Sequence, residues 1–260
     1  MKKILTLTII LLAAISCSAK PKEYKLKVVK EYTHDTKAYT QGLYFLDGTM
    51  YESAGQFSES NFREVDYTTG KVVRKMDFAA KYFLEGATVL DGKLFILTWT
   101  NKVAFVYDAK TLEYKQSYSY PREGWGLTTD GKSLIASDGS SRIYYMTPEF
   151  KVTKTLNVTM NGKPLRYLNE LEWIDGKIWA NVYLTDLIVI INPSSGEVEA
   201  SIDCSGLLPS KLRAPKTDVL NGIAYLPGSS DSKSSYGSAG RIFLTGKYWP
   251  RLYEVQLIAK

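Results

Sequence analysis

Gln41-Gly42-Leu43-Tyr44-Phe45-Leu46-Asp47-Gly48-Thr49-Met50-Tyr51 is the stretch that decides the fold. Two alternating apolar segments flank an Asp-Gly pair, and Asp-Gly supplies the positive φ angles that a tight hairpin turn requires. The same turn signal returns at Asp91-Gly92, Asp130-Gly131 and Asp175-Gly176, each between apolar residues. The step that opens the hairpin also returns, as Glu85-Gly86-Ala87, Trp125-Gly126-Leu127, Asn169-Glu170-Leu171 and Asn221-Gly222-Ile223. Its intervals are 44, 40, 44 and 52 residues. Recurrence in that range marks a stacked or radial repeat, in which one unit cannot bury its own core. The leading residues differ chemically while their surroundings stay alike, so one position per repeat is given over to something other than packing.

Later in each unit a second turn follows, at Thr68-Thr69-Gly70, Asp108-Ala109-Lys110, Thr147-Pro148-Glu149 and Pro193-Ser194-Ser195-Gly196. No segment sustains an apolar period of 3.6, so very little helix is expected. Each unit then reads as strand, Asp-Gly turn, strand, loop, strand, turn, strand. Four strands in about 45 residues make a propeller blade. The expected fold is all-β, a five-bladed β-propeller over residues 20–260, with a six-bladed ring as the rival. The fifth unit is irregular, with a Ser- and Gly-rich loop from Gly228 to Gly240, and its last strand, Arg251 to Ile258, lacks a partner. The alternating N-terminal stretch Tyr24 to Tyr32 lacks a unit, and it is expected to complete the last blade and close the ring.

Residues 1–19 read as a signal peptide: Met1-Lys2-Lys3 is basic, Ile4 to Ile15 is apolar, and small residues follow. Ala14-Ile15-Ser16-Cys17 resembles a bacterial lipobox, which would leave a lipidated Cys17 and an envelope lipoprotein in the periplasm or outer membrane. Cleavage after Ala19 would instead release a secreted protein. Without Lys2 and Lys3 the formal charge falls from +6 to +4. That excess is spread along the chain, which argues against nucleic-acid binding. Once Cys17 is set aside only Cys204 is left, so no intrachain disulfide is expected, and Cys204 reads as a core or rim residue. A monomer is expected, as for many closed propellers.

Innermost strands begin at the recurring step, and the antiparallel second strands return to the same face of the disc. One mouth of the central channel should therefore be lined by Gln41, Glu85, Trp125, Asn169 and Asn221, ringed by Trp99, Asp138, Tyr183 and Lys247. An aromatic cup with one carboxylate, several amides and one ammonium has the form of a small-ligand site. Burial among Trp99, Trp125 and Phe83 should raise the pKa of Glu85, whereas Lys247 should lower it. A carboxyl group near neutrality can carry protons in both directions. The single histidine, His34, excludes a multi-histidine zinc site and argues against a Ser-His-Asp triad. Plainer readings stand beside these: the tryptophans could fill the channel, and Asn169 and Asn221 could cap strand-entry turns.

Eight segments, in order, resemble the plant-type, papaya-like glutaminyl-peptide cyclotransferases, a family with bacterial members. They are Tyr39-Thr40-Gln41-Gly42-Leu43, Tyr82-Phe83-Leu84-Glu85-Gly86, Gly124-Trp125-Gly126-Leu127, Ser137-Asp138-Gly139, Leu168-Asn169-Glu170-Leu171-Glu172, Trp179-Ala180-Asn181-Val182, Asp218-Val219-Leu220-Asn221-Gly222-Ile223-Ala224 and Thr245-Gly246-Lys247-Tyr248-Trp249-Pro250. The resemblance implies cyclisation of the N-terminal glutamine of a peptide or protein to pyroglutamate, with release of ammonia and no catalytic metal. It also suggests a structural calcium in the channel. By motif, Glu85 would be the general acid/base, with Lys247 and Asn169 joining it in catalysis. Gln41, Tyr39, Phe83, Trp99, Trp125, Tyr183 and Asn221 would bind substrate. Two residues depart from the family: Leu84 stands where Gly is usual and could crowd the site, and Tyr183 replaces a Trp. On that ground a second reading is kept, a non-catalytic envelope propeller that binds peptides or glycans in the same cup.

Overall fold

The computed structural model describes residues 20–228 and 240–260. The leader, Cys17 and most of the Ser- and Gly-rich loop lie outside the described residues. Among those described the chain is all-β, and its single helical element is a 3-10 turn at Ser210–Leu212. Strand β1 spans Lys22–Thr33. A first antiparallel sheet orders β2 (Thr40–Leu46), β3 (Thr49–Ala54), β4 (Asn61–Asp66) and β5 (Lys71–Asp77). A second orders β6 (Leu84–Leu90), β7 (Lys93–Thr98), β8 (Val103–Asp108) and β9 (Tyr114–Ser119). A third orders β10 (Leu127–Thr129), β11 (Leu134–Ser137), β12 (Arg142–Met146) and β13 (Val152–Asn157), and β14 (Thr159–Met160) pairs with β15 (Lys163–Pro164).

The remaining strands are β16 (Leu168–Ile174), β17 (Lys177–Val182), β18 (Leu187–Ile191), β19 (Val198–Asp203), β20 (Leu220–Leu226), β21 (Arg241–Gly246) and β22 (Arg251–Ala259). With β1 they form one eight-stranded sheet, ordered β16-β17-β18-β19-β1-β22-β21-β20. It divides into two four-stranded halves at a short parallel contact, where Lys22 to Lys25 of β1 face Ala200 to Asp203 of β19. β1 pairs antiparallel with β22 from Tyr24 opposite Ala259 to Thr33 opposite Arg251. The N-terminal strand thus completes the last half-sheet, as its alternation predicts, and β22 is left with no open edge.

Innermost strands β2, β6, β10, β16 and β20 touch in a cycle: β2 lies against β6 and β20, and β10 lies between β6 and β16, which meets β20. The result is a propeller-like fold. Apolar side chains fill the spaces between sheets; Tyr44 and Phe62 of the first sheet, for example, meet Leu84, Leu94, Ile96 and Phe105 of the second. Three of the Asp-Gly pairs have positive φ at both residues, as in a type I′ hairpin: Asp47 (49°) and Gly48 (80°), Asp91 (50°) and Gly92 (70°), Asp175 (51°) and Gly176 (73°). The fourth differs. There only Gly131 is left-handed (81°), and Asp130 Oδ1 accepts the N–H groups of Lys132 and Ser133.

Glycine recurs in the step because the inner strands nearly touch. A Cβ on Gly86 would lie 2.3 Å from Leu127 N, and one on Gly126 would lie 2.1 Å from Asn169 O. In the fourth unit the glycine's place is taken by Glu170. Its buried carboxylate accepts N–H groups from Leu43 (3.3 Å) and Ile223 (3.0 Å), tying β16 to β2 and β20 across the centre of the disc.

Candidate active site

Four of the five recurring steps sit on a β-bulge between the first and second strands of their sheets. The register shifts between Thr40 and Gly42, between Leu84 and Ala87, between Leu168 and Leu171, and between Leu220 and Ile223. An extra residue at a bulge re-aims a side chain out of the regular alternation. Gln41, Glu85, Asn169 and Asn221 occupy these positions. The ends of the second strands latch the next unit: Ser53 Oγ donates to Glu85 O (2.6 Å), Ser137 Oγ to Asn169 O (2.7 Å), and Asn181 Oδ1 accepts Gly222 N–H (3.0 Å). Small polar residues recur there because they pin the backbone of the neighbouring step.

A cavity of about 340 Å³ opens on this face. Tyr39, Phe83, Trp99, Trp125 and Tyr183 form its walls, and Gln41, Glu85, Asn169 and Lys247 supply its polar groups. Gln56 and Phe57 complete the rim. The rings brace one another edge to face: Phe83 against Tyr39 (5.9 Å) and Trp99 (5.5 Å), and Trp125 against Tyr183 (5.5 Å). Trp125 also rests on Gly139, where a Cβ would fall 2.6 Å from the indole and φ is 74°, so no other residue fits beneath it.

Glu85 is buried, and Gln41 Nε2 donates to its Oε1 (3.1 Å). Asn221 Nδ2 donates to Gln41 Oε1 (3.3 Å) and Thr40 O (2.9 Å), which fixes how the Gln41 amide is turned. Burial pushes the Glu85 carboxyl well above its ordinary range; Lys247 pulls it down and Glu123 pushes it further up. Lys247 is buried too, its Nζ set over the rings of Tyr39 (4.6 Å) and Tyr183 (4.9 Å). Burial lowers its pKa, against the pull of Glu85 and Asp218. Both members of the pair are therefore held toward their neutral forms. Asn169 Oδ1 is buried in the cavity wall with no hydrogen-bond partner, an acceptor that a bound molecule would satisfy.

Asn221 requires a correction: it does not line the cavity, and both contacts of its Nδ2 are to Thr40 and Gln41. It lies beneath the site, bonded to the Gln41 amide. Asp138 also stands away from the lining, accepting hydrogen bonds from Tyr144 and Ser140. Leu84 does not crowd the site. Its side chain is fully buried in the core between the first two sheets, on the opposite face of β6 from Glu85. Cys204 lies in another core cluster, where burial pushes its thiol pKa up.

Other neighbours of the site escape a sequence reading. Gln56 and Phe57 lie in the β3–β4 loop, which is two residues longer than the equivalent loops after β7, β11, β17 and β21. Asp218 holds the Tyr39 hydroxyl (3.1 Å), and Glu123 bridges two tryptophans. Only their nearness in sequence to Asn221 and Trp125 hints at them. His34 is packed away from the cavity, its ring nitrogens facing Glu52 Oε1 (3.0 Å) and Trp249 O (2.7 Å). No three of His, Cys, Asp and Glu come together as a metal site among the described residues, and both carboxylate oxygens of Glu170 are taken by backbone N–H groups.

Comparison with known proteins gives a consistent result. The family described as Glutamine cyclotransferase matches residues 3–257. A glutaminyl-peptide cyclotransferase of Arabidopsis thaliana is 43% identical over 242 residues, covering 90% of this chain and 71% of the relative. The crystal structure of Myxococcus xanthus glutaminyl cyclase superposes with a TM-score of 0.82 at 33% identity, covering 93% of this chain and all of the other.

Proposed function

This chain belongs to the glutamine cyclotransferase family, and from that premise we propose that Glu85 is the proton carrier of its reaction. The protein is an enzyme of the glutaminyl-peptide cyclotransferase type, converting the N-terminal glutamine of peptides or proteins to pyroglutamate with release of ammonia. The α-amine nitrogen attacks the side-chain carboxamide carbon, the bond from that carbon to the amide nitrogen breaks, and ammonia departs. One proton must pass from the attacking nitrogen to the leaving one. Glu85 takes it from the attacking nitrogen and gives it to the leaving one, which suits a carboxyl group whose pKa burial has raised well above its ordinary range.

The observation that carries this reading is the Glu85 carboxyl, buried at the bottom of an aromatic cup and hydrogen-bonded by Gln41. Lys247 and Asn169 stand beside it to stabilise the oxyanion of the tetrahedral intermediate and to bind the substrate's amide and amine. Tyr39, Phe83, Trp99, Trp125 and Tyr183 hold the glutamine side chain curled toward its own amine. Because the ring closure is intramolecular, such positioning supplies much of the rate. No step needs a metal, and activity should persist in zinc chelators. The alternative of a non-catalytic binder is not favoured, since Leu84 packs in the core and Tyr183 supplies a cavity wall.

The assay is ammonia release from a Gln-initiated peptide, with and without chelator, compared with the Glu85→Gln variant. Turnover by the wild type and none by the variant supports the reading. A variant that turns over as fast as wild type refutes the role of Glu85.

Two further proposals complete the reading. Five blades form the ring, supported by one recurring step on each of the five inner strands in contact. The protein is exported, and the lipobox-like Ala14-Ile15-Ser16-Cys17 supports an envelope lipoprotein.

A further inference from the structure

Trp99 and Trp125 come from different sheets, one just beyond β7 and the other just before β10, yet their indole N–H groups converge on one atom. Trp99 Nε1 donates to Glu123 Oε2 at 2.9 Å, and Trp125 Nε1 donates to the same oxygen at 3.1 Å. Glu123 does not line the cavity; it grips both walls from outside. Its own place is fixed by the next residue. Gly124 N–H donates to Thr98 O (3.1 Å), and a Cβ on Gly124 would meet Thr98 O and Leu97 Cβ, both at 2.7 Å. The backbone of Glu123-Gly124-Trp125 is thereby laid against the end of β7, where Trp99 begins.

We propose that Glu123 is a positioning residue for the cyclisation, its carboxylate fixing the planes of the two indoles that shape the cup around the substrate glutamine. This rests on the function proposed above. A charged acceptor shared by two indoles is stronger than a neutral one, and two walls set by one oxygen move together. A freely rotating indole would let the curled substrate relax, and misplacement of about 1 Å costs roughly a hundredfold in rate. The charge has a second effect. The groups that bear on Glu85 are Lys247, which favours its ionised form, Glu123, which opposes it, and the phenols of Tyr39 and Tyr183.

Glu123→Gln and Glu123→Ala separate the two effects. Gln keeps an oxygen to accept the indoles and removes the charge. Its kcat should stay within a few-fold of wild type, while the limb of the kcat/KM pH profile that belongs to the enzyme moves to lower pH. The shift should be on the order of half a pH unit at low salt and shrink at high salt. The limb that belongs to the substrate amine should not move. Ala removes the acceptor: kcat should fall roughly ten- to a hundredfold, with a changed tryptophan emission and a melting temperature close to wild type. An Ala variant with wild-type kcat and emission would overturn the proposal, as would a Gln variant as impaired as Ala with an unmoved pH limb. Should Ala fail to fold, the Gln profile decides. A wild type that releases no ammonia would count against the reaction itself, and the emission of the Ala variant would still test the grip on the indoles.

Discussion

Glu85 is oriented by an amide rather than by a cation. The chain of contacts runs from Thr40 O through the Asn221 amide to Gln41 and then to the carboxyl, so the proposed proton carrier is aimed by a residue outside the cavity lining. Asn221→Leu should therefore lower kcat more than it raises KM, by about tenfold or more, because Gln41 loses what fixes its amide. It should also cost about 1–3 kcal/mol of stability, since Thr40 O is left buried without that donor. Kinetics and urea denaturation on the same variant check both. Lys247→Met tests the cation. Burial raises the Glu85 carboxyl and Lys247 opposes that rise, so losing Lys247 should move the enzyme's pH limb upward. The loss in kcat should reach about 10²- to 10³-fold if Lys247 also faces the oxyanion. An unmoved limb would show that the charge does not reach Glu85.

The strands that carry these residues depend on close approach and on one buried polar cluster. Gly126→Ala puts a Cβ where only 2.1 Å separates it from Asn169 O, so β10 and β16 must part. We expect a loss of about 2 kcal/mol or more, with activity falling in step, read from urea midpoints. Beneath β2, Glu52 accepts Thr40 Oγ1 (2.6 Å) and His34 Nε2 (3.0 Å). Burial pushes its pKa up, but His34, Arg63 and Thr40 outweigh that and hold it at about 2. A carboxyl depressed in the folded state stabilises above its unfolded pKa and loses that contribution as pH falls. Stability should thus decline between about pH 4.5 and pH 2. Glu52→Gln should flatten that decline in melts taken across the range. The hairpins are legible in the sequence because turn chemistry is local: Asp47-Gly48 reads as a turn whatever surrounds it. The bulges are not, since a bulge exists only relative to a partner strand. That is why Asn221 reads as one more cavity residue although it lies below the cavity, and why Leu84 reads as crowding a site from which its strand turns it away. Phe57 carries no repeat signal at all, and Glu123 is found only through the two indoles that meet on it.

For the molecule as a whole, closure rests on β1, which pairs with both β22 and β19. Deleting residues up to Thr33 would expose the edge of β22 and unlink the two halves of the eight-stranded sheet. Such a chain should aggregate or unfold in a broadened, non-cooperative transition, which light scattering and calorimetry would record. Closure matters to function because Lys247 enters the cavity from the last half-sheet, whereas Gln41 and Glu85 enter from the first two sheets. The cup exists only when the ring is shut. The most direct measurement is ammonia release from a Gln-initiated peptide, taken side by side for the wild type and a folded Glu85→Gln variant. Steady release by the wild type and a loss of about 10²- to 10⁴-fold in the variant are expected; comparable release by both would contradict a proton-carrying Glu85.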